Sequence, residues 1–492
     1  MTLMQAPRMA ATAPQDEQPA ARLSVARLKR VLWWLAAAGL LGIAIMLGWG
    51  SNDDGPPRDA AQSVGAAASS GSLLDRLTHS RSAPAVPAWS LSIDGAATTP
   101  AAPLQTGALR GSAEARLIAI YQSLRSGERA QALLDAQTLT NDYPNFQLAQ
   151  LLYADLLAVS TSTPVDVGSL APKNSAQAKQ LAVLLRESQL RLQALTEVPK
   201  PGTLPSNFLA LPPSTRNVIA VDASRSRLYW FKNTAPAGKP ANMVLVKDVY
   251  MSVGKNGVGK FVEGDGRTPL GVYFITSILA DEQLPDLYGR GALPLNYPNA
   301  LDILRKKTGD GIWLHGTPTA QYVRAPLASE GCVVLSNPDI TRLLEDADIR
   351  STPVLIAQSL TWVDASRASA PLTAAVSHND VASSAMPAGF HTSFAQWQHH
   401  RQTQNLAALR DAYSDKFFRR GKALSYWWPT IKKEATPQSR QTDITVVSWQ
   451  DEEQVVVVNY AEQLKPNQAS VNKRQYWRLE GNTWRIFYEG NA

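Results

Sequence analysis

Cysteine is almost absent from this chain: there is one, Cys332, in 492 residues. That excludes a disulfide framework and any cysteine-rich metal site. Histidine is scarce as well, with six copies, and no HExxH spacing accompanies them, so neither a metal nor a cofactor is called for. Charged residues make up 18% and the net charge is +7, of which the first thirty residues supply +3. The mild basic excess suits anionic wall or membrane surfaces and is too weak to argue for nucleic acid. Long apolar runs are rare, which makes the exception informative. VLWWLAAAGLLGIAIMLGW, residues 31–49, carries no charge, and nineteen helical residues match a bilayer core of about 30 Å.

Arg8, Arg22, Arg27, Lys29 and Arg30 precede this span and Asp53 and Asp54 follow it. The basic flank places residues 1–30 in the cytoplasm and the remainder outside the inner membrane, in the periplasm, as a single-pass protein. Cleavage of the span as a signal peptide, near Ala60 and Ala61, is the rival; the globular part is exported either way. Residues 51–110, rich in Ala, Ser, Gly, Pro and Thr, read as a flexible linker in which only SLLDRLTH at 72–79 has a helical pattern.

Residues 111–198 are helical in pattern. Leu117, Ile120, Tyr121 and Leu124 recur at spacings of three and four. Gly127 interrupts, Ala132, Leu133, Ala136 and Leu139 resume, and Pro144 stops the second helix. The series resembles one tetratricopeptide (TPR-like) unit; an ordinary helical hairpin explains it equally. The region is a packed spacer or a site for a protein partner. After the Pro-rich VPKPGTLP, the period becomes that of strands: NVIAVDASRSRLYWF reads as a hairpin, with MVLVKDVYMSVGK, TPLGVYFITSI, GIWLHG and GCVVLS as further strands or strand ends.

Two of these segments hold His315 and, seventeen residues later, Cys332. A thiolate is a strong nucleophile, and an imidazole can take its proton and return one to a leaving amine. A lone cysteine followed by VVL is also what a small buried hydrophobe looks like. Export favours the reactive interpretation, because structural cysteines in an oxidising compartment come in pairs.

The stretch from about 215 to 358 resembles the L,D-transpeptidase catalytic domain, the YkuD family, on four features in order: VIAVDASRSRLYWF, TPLGVYF at 268–274, HGTP at 315–318 and SEGCVVL at 329–335. The resemblance implies a mostly antiparallel β-sandwich. It further implies that Cys332 attacks the carbonyl on the L-centre of meso-diaminopimelate in a tetrapeptide stem of peptidoglycan, expels D-Ala and passes the acyl group to an amine. His315 becomes the general base and acid, and the N–H groups of Glu330, Gly331 and Cys332 become oxyanion donors. Ser329 braces the site and Gly316 permits close approach beside His315. The family pattern is SHGCVR; here Glu330 replaces the His and Val334 the Arg. The missing cation is then Arg324, Arg290 or Arg267. The segment 288–302 looks like an arm found in a proteobacterial branch, making Tyr288, Arg290, Asn296 and Tyr297 candidates for substrate contact. Two further outcomes follow from the same motifs: a hydrolase that uses water as acceptor on crosslinks or wall-protein links, and a wall-binding scaffold whose site has decayed at Glu330 and Val334.

A second Ala/Ser-rich linker spans 361–389. Residues 390–492, a helix followed by four aromatic strand-like runs, resemble the NTF2-like (SnoaL-like) α+β cone. That fold serves enzymes and binding modules alike, so it assigns no function beyond a possible partner site. His399 and His400 read as surface residues, and Trp427, Trp428, Trp477 and Trp484 as core or pocket lining.

Overall fold

The computed structural model describes residues 112–160, 176–348, 351–368 and 386–492. The apolar span at 31–49 and the pattern at 72–79 lie outside them. Among the described residues no helix is long and apolar enough to cross a membrane.

Helices α1 (Ala113–Arg125), α2 (Arg129–Asp142) and α3 (Gln147–Ser160) form an antiparallel series, and α4 (Ala176–Thr196) packs beside α3. Ser112 caps α1 by accepting from the Ala115 N–H. The inward face of α1 is Leu117, Ile120, Tyr121 and Leu124; α2 buries Ala132, Ala136 and Leu139.

Strands β1 (Thr203–Pro205) and β2 (Phe208–Ala210) follow, where the sequence suggests only a boundary. The central sheet contains β3 (Asn217–Asp222), β4 (Arg227–Asn233), β5 (Met243–Gly254), β6 (Gly271–Phe274), β7 (Leu279–Ala280), β8 (Gly291–Pro294), β9 (Trp313–His315), β10 (Leu327–Ser329), β11 (Val333–Leu335) and β12 (Pro353–Ala357). Its order is β6-β12-β3-β4-β5-β11-β9-β8-β7, with β10 on β5. Most pairings are antiparallel; β12 on β3, β11 on β9 and β10 on β5 are parallel. Strand β5 pairs β4 along most of its length and β11 at its end, so it joins the two halves of the fold. Short helix α5 (Ala300–Leu304) and helix α6 (Asn337–Asp346) interrupt the strands, and β13 (Trp362–Asp364) closes on β1.

Alternation explains why β3 is apolar throughout. Ile219 and Val221 enter a core with Leu293, Leu314, Val333 and Leu335. Val218 and Ala220 enter a different core on the other face. That second core is shared with the C-terminal domain, made of α7 (Phe390–Gln402), α8 (Leu406–Asp411), β14 (Phe418–Arg419), β15 (Lys422–Ala423), α9 (Leu424–Glu434), β16 (Arg440–Gln450), β17 (Gln454–Gln463), β18 (Val471–Glu480) and β19 (Thr483–Asn491). In its meander, Val447, Val457, Tyr476 and Phe487 face the central sheet. Val446, Val458, Trp477 and Ile486 face α7 to α9. Strand β2 adds to the edge of this sheet through β16. The segment expected as a linker from 361 is therefore structured through Ala368: β13 is paired, and Ala365 and Ala368 are buried in the shared core. Trp477 and Trp484 are core residues, and Trp427 and Trp428 pack partly buried against that core.

Candidate active site

Strands β9 and β11 build the site through their parallel register, Val333 beside Leu314 and Val334 beside His315. Leu314, Val333 and Leu335 point into the sandwich core. Period-two alternation turns Trp313 and His315 to the other face, and Cys332, one residue ahead of β11, follows them.

His315 is buried, and its Nδ1 lies 2.6 Å from the Gly316 carbonyl oxygen. A carbonyl only accepts, so Nδ1 carries the proton and Nε2 is the basic nitrogen. Burial pushes the imidazole down to about 4, against the favourable bond to Gly316, and the nearby Arg324 guanidinium adds to the depression. The Cys332 thiol is half-buried and donates to the Gly311 carbonyl at 3.4 Å. Burial raises it to about 11, while a backbone contact at Trp313 and the charges of Arg324 and Lys260 oppose the rise. The resting pair is neutral thiol and neutral imidazole.

Ser329 braces the turn before the cysteine. Its hydroxyl donates to the Cys332 carbonyl at 2.6 Å and accepts the Gly331 N–H at 3.1 Å. This corrects one expectation: the Gly331 N–H is already engaged and does not face a substrate oxygen. Gly331 is required for its backbone, with φ at +130° and the Arg267 carbonyl 2.8 Å from where a Cβ would stand. Gly316 is confined in a similar way, since a Cβ there would collide with Asn337 Oδ1. Asn337, which no motif singles out, fastens the HGTP turn. Its Oδ1 accepts the N–H groups of Arg290 and Thr317, and its Nδ2 donates to the Thr317 carbonyl.

Tyr288 stands edge-on to His315, with ring centres 5.1 Å apart, and against Trp313 at 4.8 Å. Together they form an aromatic wall in which Trp313 is a residue missed by motif reasoning. Tyr297 is elsewhere: it is buried in the sandwich core beside Tyr273, and its hydroxyl donates to the Thr308 carbonyl. The expected substrate contact is corrected to packing. Arg290 is exposed and paired with Asp281 at 3.0 Å, and Asn296 accepts the Phe274 N–H. Arg267 donates to the Val258 carbonyl. Glu330 lies at the exposed rim in an ion pair with Lys255, and Val334 is buried.

Of the three candidate cations, Arg324 is the one whose charge bears on both Cys332 and His315. Among the described residues no carboxylate forms an ion pair with it, and its Nε is buried without a hydrogen-bond partner. The described residues also contain no group of acidic, histidine or cysteine side chains able to hold a metal.

A central sheet carrying a thiol and an imidazole on adjacent strands, followed by an α+β domain, defines the class. Residues 216–356 match the model of the YkuD family, the L,D-transpeptidase catalytic domain. Residues 390–490 match the Cds6 C-terminal NTF2-like domain. The chain therefore carries a YkuD L,D-transpeptidase catalytic domain followed by an NTF2-like domain. Among solved structures it is similar to Bdellovibrio bacteriovorus Bd1075, with 23% identity over 59% of this chain and 98% of that one and a TM-score of 0.44. It is also similar to the helical cell shape determining protein Pgp2 of Campylobacter jejuni, with 18% identity over 58% and 95% and a TM-score of 0.44. An L,D-transpeptidase from Mycobacterium smegmatis matches over 29% of this chain and 58% of its own, with 11% identity and a TM-score of 0.18. No curated protein matches the sequence.

Proposed function

We propose that the protein is a periplasmic, membrane-anchored L,D-transpeptidase that remodels peptidoglycan through a thioester on Cys332. The observation that carries this reading is the juxtaposition at the β9–β11 seam: one thiol, one neutral imidazole with Nε2 as its base, and a guanidinium lacking a carboxylate partner. The apolar run at 31–49 supports the anchor.

A tetrapeptide stem presents a scissile amide whose leaving D-Ala bears a carboxylate two bonds from the departing nitrogen. Arg324 is the residue for that carboxylate, because a guanidinium pairs with it in a fork of two hydrogen bonds. His315 Nε2 removes the thiol proton as sulfur bonds to the carbonyl carbon, and the same proton goes to the amine of D-Ala as the C–N bond breaks. The N–H groups of Glu330 and Cys332 are the oxyanion donors in this reading. An incoming amine then attacks the thioester, loses a proton to His315 and restores the thiol. Because substrate carboxylate would neutralise the Arg324 charge that disfavours imidazolium, binding strengthens the base at the moment it is needed. With water in place of the amine the same thioester is hydrolysed.

Muropeptide analysis after incubation with purified sacculi tests the reading. New crosslinks or exchanged terminal residues, lost in Cys332→Ala, are the expected products. Loss of crosslinks or bare trimming would assign the acceptor to water, and an unchanged profile would leave no enzyme to explain.

A further inference from the structure

Arg324 sits on the loop Thr317–Pro326. The first half of the loop is held within the catalytic domain by Asn337, Asp286 and the Thr317 hydroxyl, and the stretch around Tyr322 is held from the helical region, 170 or so residues earlier in the chain. Tyr322, from the catalytic domain, is buried within the core of the helices, together with Phe146, Leu148 and Leu152. Its ring lies 4.8 Å from Phe146 and 5.1 Å from Tyr143, centre to centre. The turn between α2 and α3 adds two hydrogen bonds: the Tyr322 N–H donates to the Asn145 carbonyl at 3.2 Å, and Asn145 Nδ2 donates to the Thr319 carbonyl at 3.0 Å. A second hold comes from α4. The Arg191 guanidinium lies 3.9 Å from the centre of the Tyr250 ring, and the Tyr250 hydroxyl donates to the carbonyl of Arg324 itself at 3.0 Å. Arg191 is buried and fixed by Glu187 and Glu114, and Glu114 also pairs with Arg227 of β4.

We infer that the helical region is a working part of the active site: by seating Tyr322 and Tyr250 it positions Arg324 for the terminal carboxylate of the stem peptide. Tyr322 is thus a positioning residue that acts through Arg324, and the region is more than a spacer. Loops left to themselves sample many conformations, and a cation held in one place loses less freedom when it binds. The inference rests on the proposed reading of the site, so its test includes a readout that does not need turnover.

In the full chain, Tyr322→Ala should raise KM for a tetrapeptide stem with a free terminal carboxylate by about 10- to 100-fold, the usual worth of a charge-assisted pair, with a smaller change in kcat. Tyr322→Phe should behave as the parent, because packing and the backbone N–H carry the hold. Asn145→Ala should move KM in the same direction by a smaller factor without touching the helical core. Tyr322→Ala and Arg324→Ala should be non-additive, and on a stem peptide with an amidated terminus parent and variants should converge. Amide hydrogen exchange of residues 317–324 should speed up in Tyr322→Ala and Asn145→Ala whether or not any peptide is turned over. Parent-like KM with unchanged exchange, or additive effects of Tyr322 and Arg324, would overturn the inference. A parent protein that turns over no stem peptide sinks the functional reading instead, and the exchange rates then decide the anchorage alone.

Discussion

Cys332 and His315 are set against ionisation in the resting state, one thiol raised to about 11 and one imidazole lowered to about 4. A thiol below its pKa gains thiolate tenfold per pH unit, so alkylation of Cys332 by iodoacetamide without substrate should climb by about 100-fold from pH 7 to pH 9. An ordinary thiol would already be levelling off; a plateau reached by pH 7 would show a preformed ion pair and contradict the neutral resting state. On the proposed mechanism attack requires proton transfer by His315, so His315→Gln should slow acylation by about 10² to 10⁴. Single-turnover kinetics measures this, and a parent-like rate would remove His315 from the mechanism.

At the scale of elements, the two short strands and the turns after them hold the chemistry in place. Gly316 is wedged against Asn337, so Gly316→Ala should destabilise the fold by about 1–3 kcal/mol through overpacking, measurable by urea unfolding. No change would mean that Asn337 shifts freely and does not fasten the turn. The helices were legible because 117, 120, 121 and 124 fall on one face, and β9 and β11 because each is a short apolar run. The motif residues pointed to the seam itself. Three things were not legible in one dimension. Tyr297 sits in a Pro-rich stretch that looks like a binding arm, yet its ring is packed beside Tyr273. The choice of Arg324 over Arg290 and Arg267 depends on which cation's charge bears on both Cys332 and His315, a property of long-range contacts. Asn337 carries no periodic signal, and its role comes from two backbone groups on a turn twenty residues away.

At the scale of the whole molecule, one apolar core joins the central sheet to the NTF2-like sheet, and Arg305 pairs with Asp451 and Glu453 across the same junction. The sequence suggests that residues 390–492 are separable; the shared core argues otherwise, since their removal bares Val218, Phe231 and Phe274. Unfolding followed by tryptophan fluorescence, to which the buried Trp230 of the central sheet and Trp397, Trp477 and Trp484 of the C-terminal domain contribute, should show a single transition. Two separated transitions would show independent domains. The helical region is tied to the same body through Tyr322 and reaches the neighbourhood of the β9–β11 seam through the Tyr250 bond to the Arg324 carbonyl. The most direct test of that seam is the intact mass of the protein after mixing with a tetrapeptide stem. The account predicts an adduct equal to the peptide less D-Ala, mapped to Cys332 and absent from Cys332→Ala; no adduct, or one carried by another residue, would contradict it.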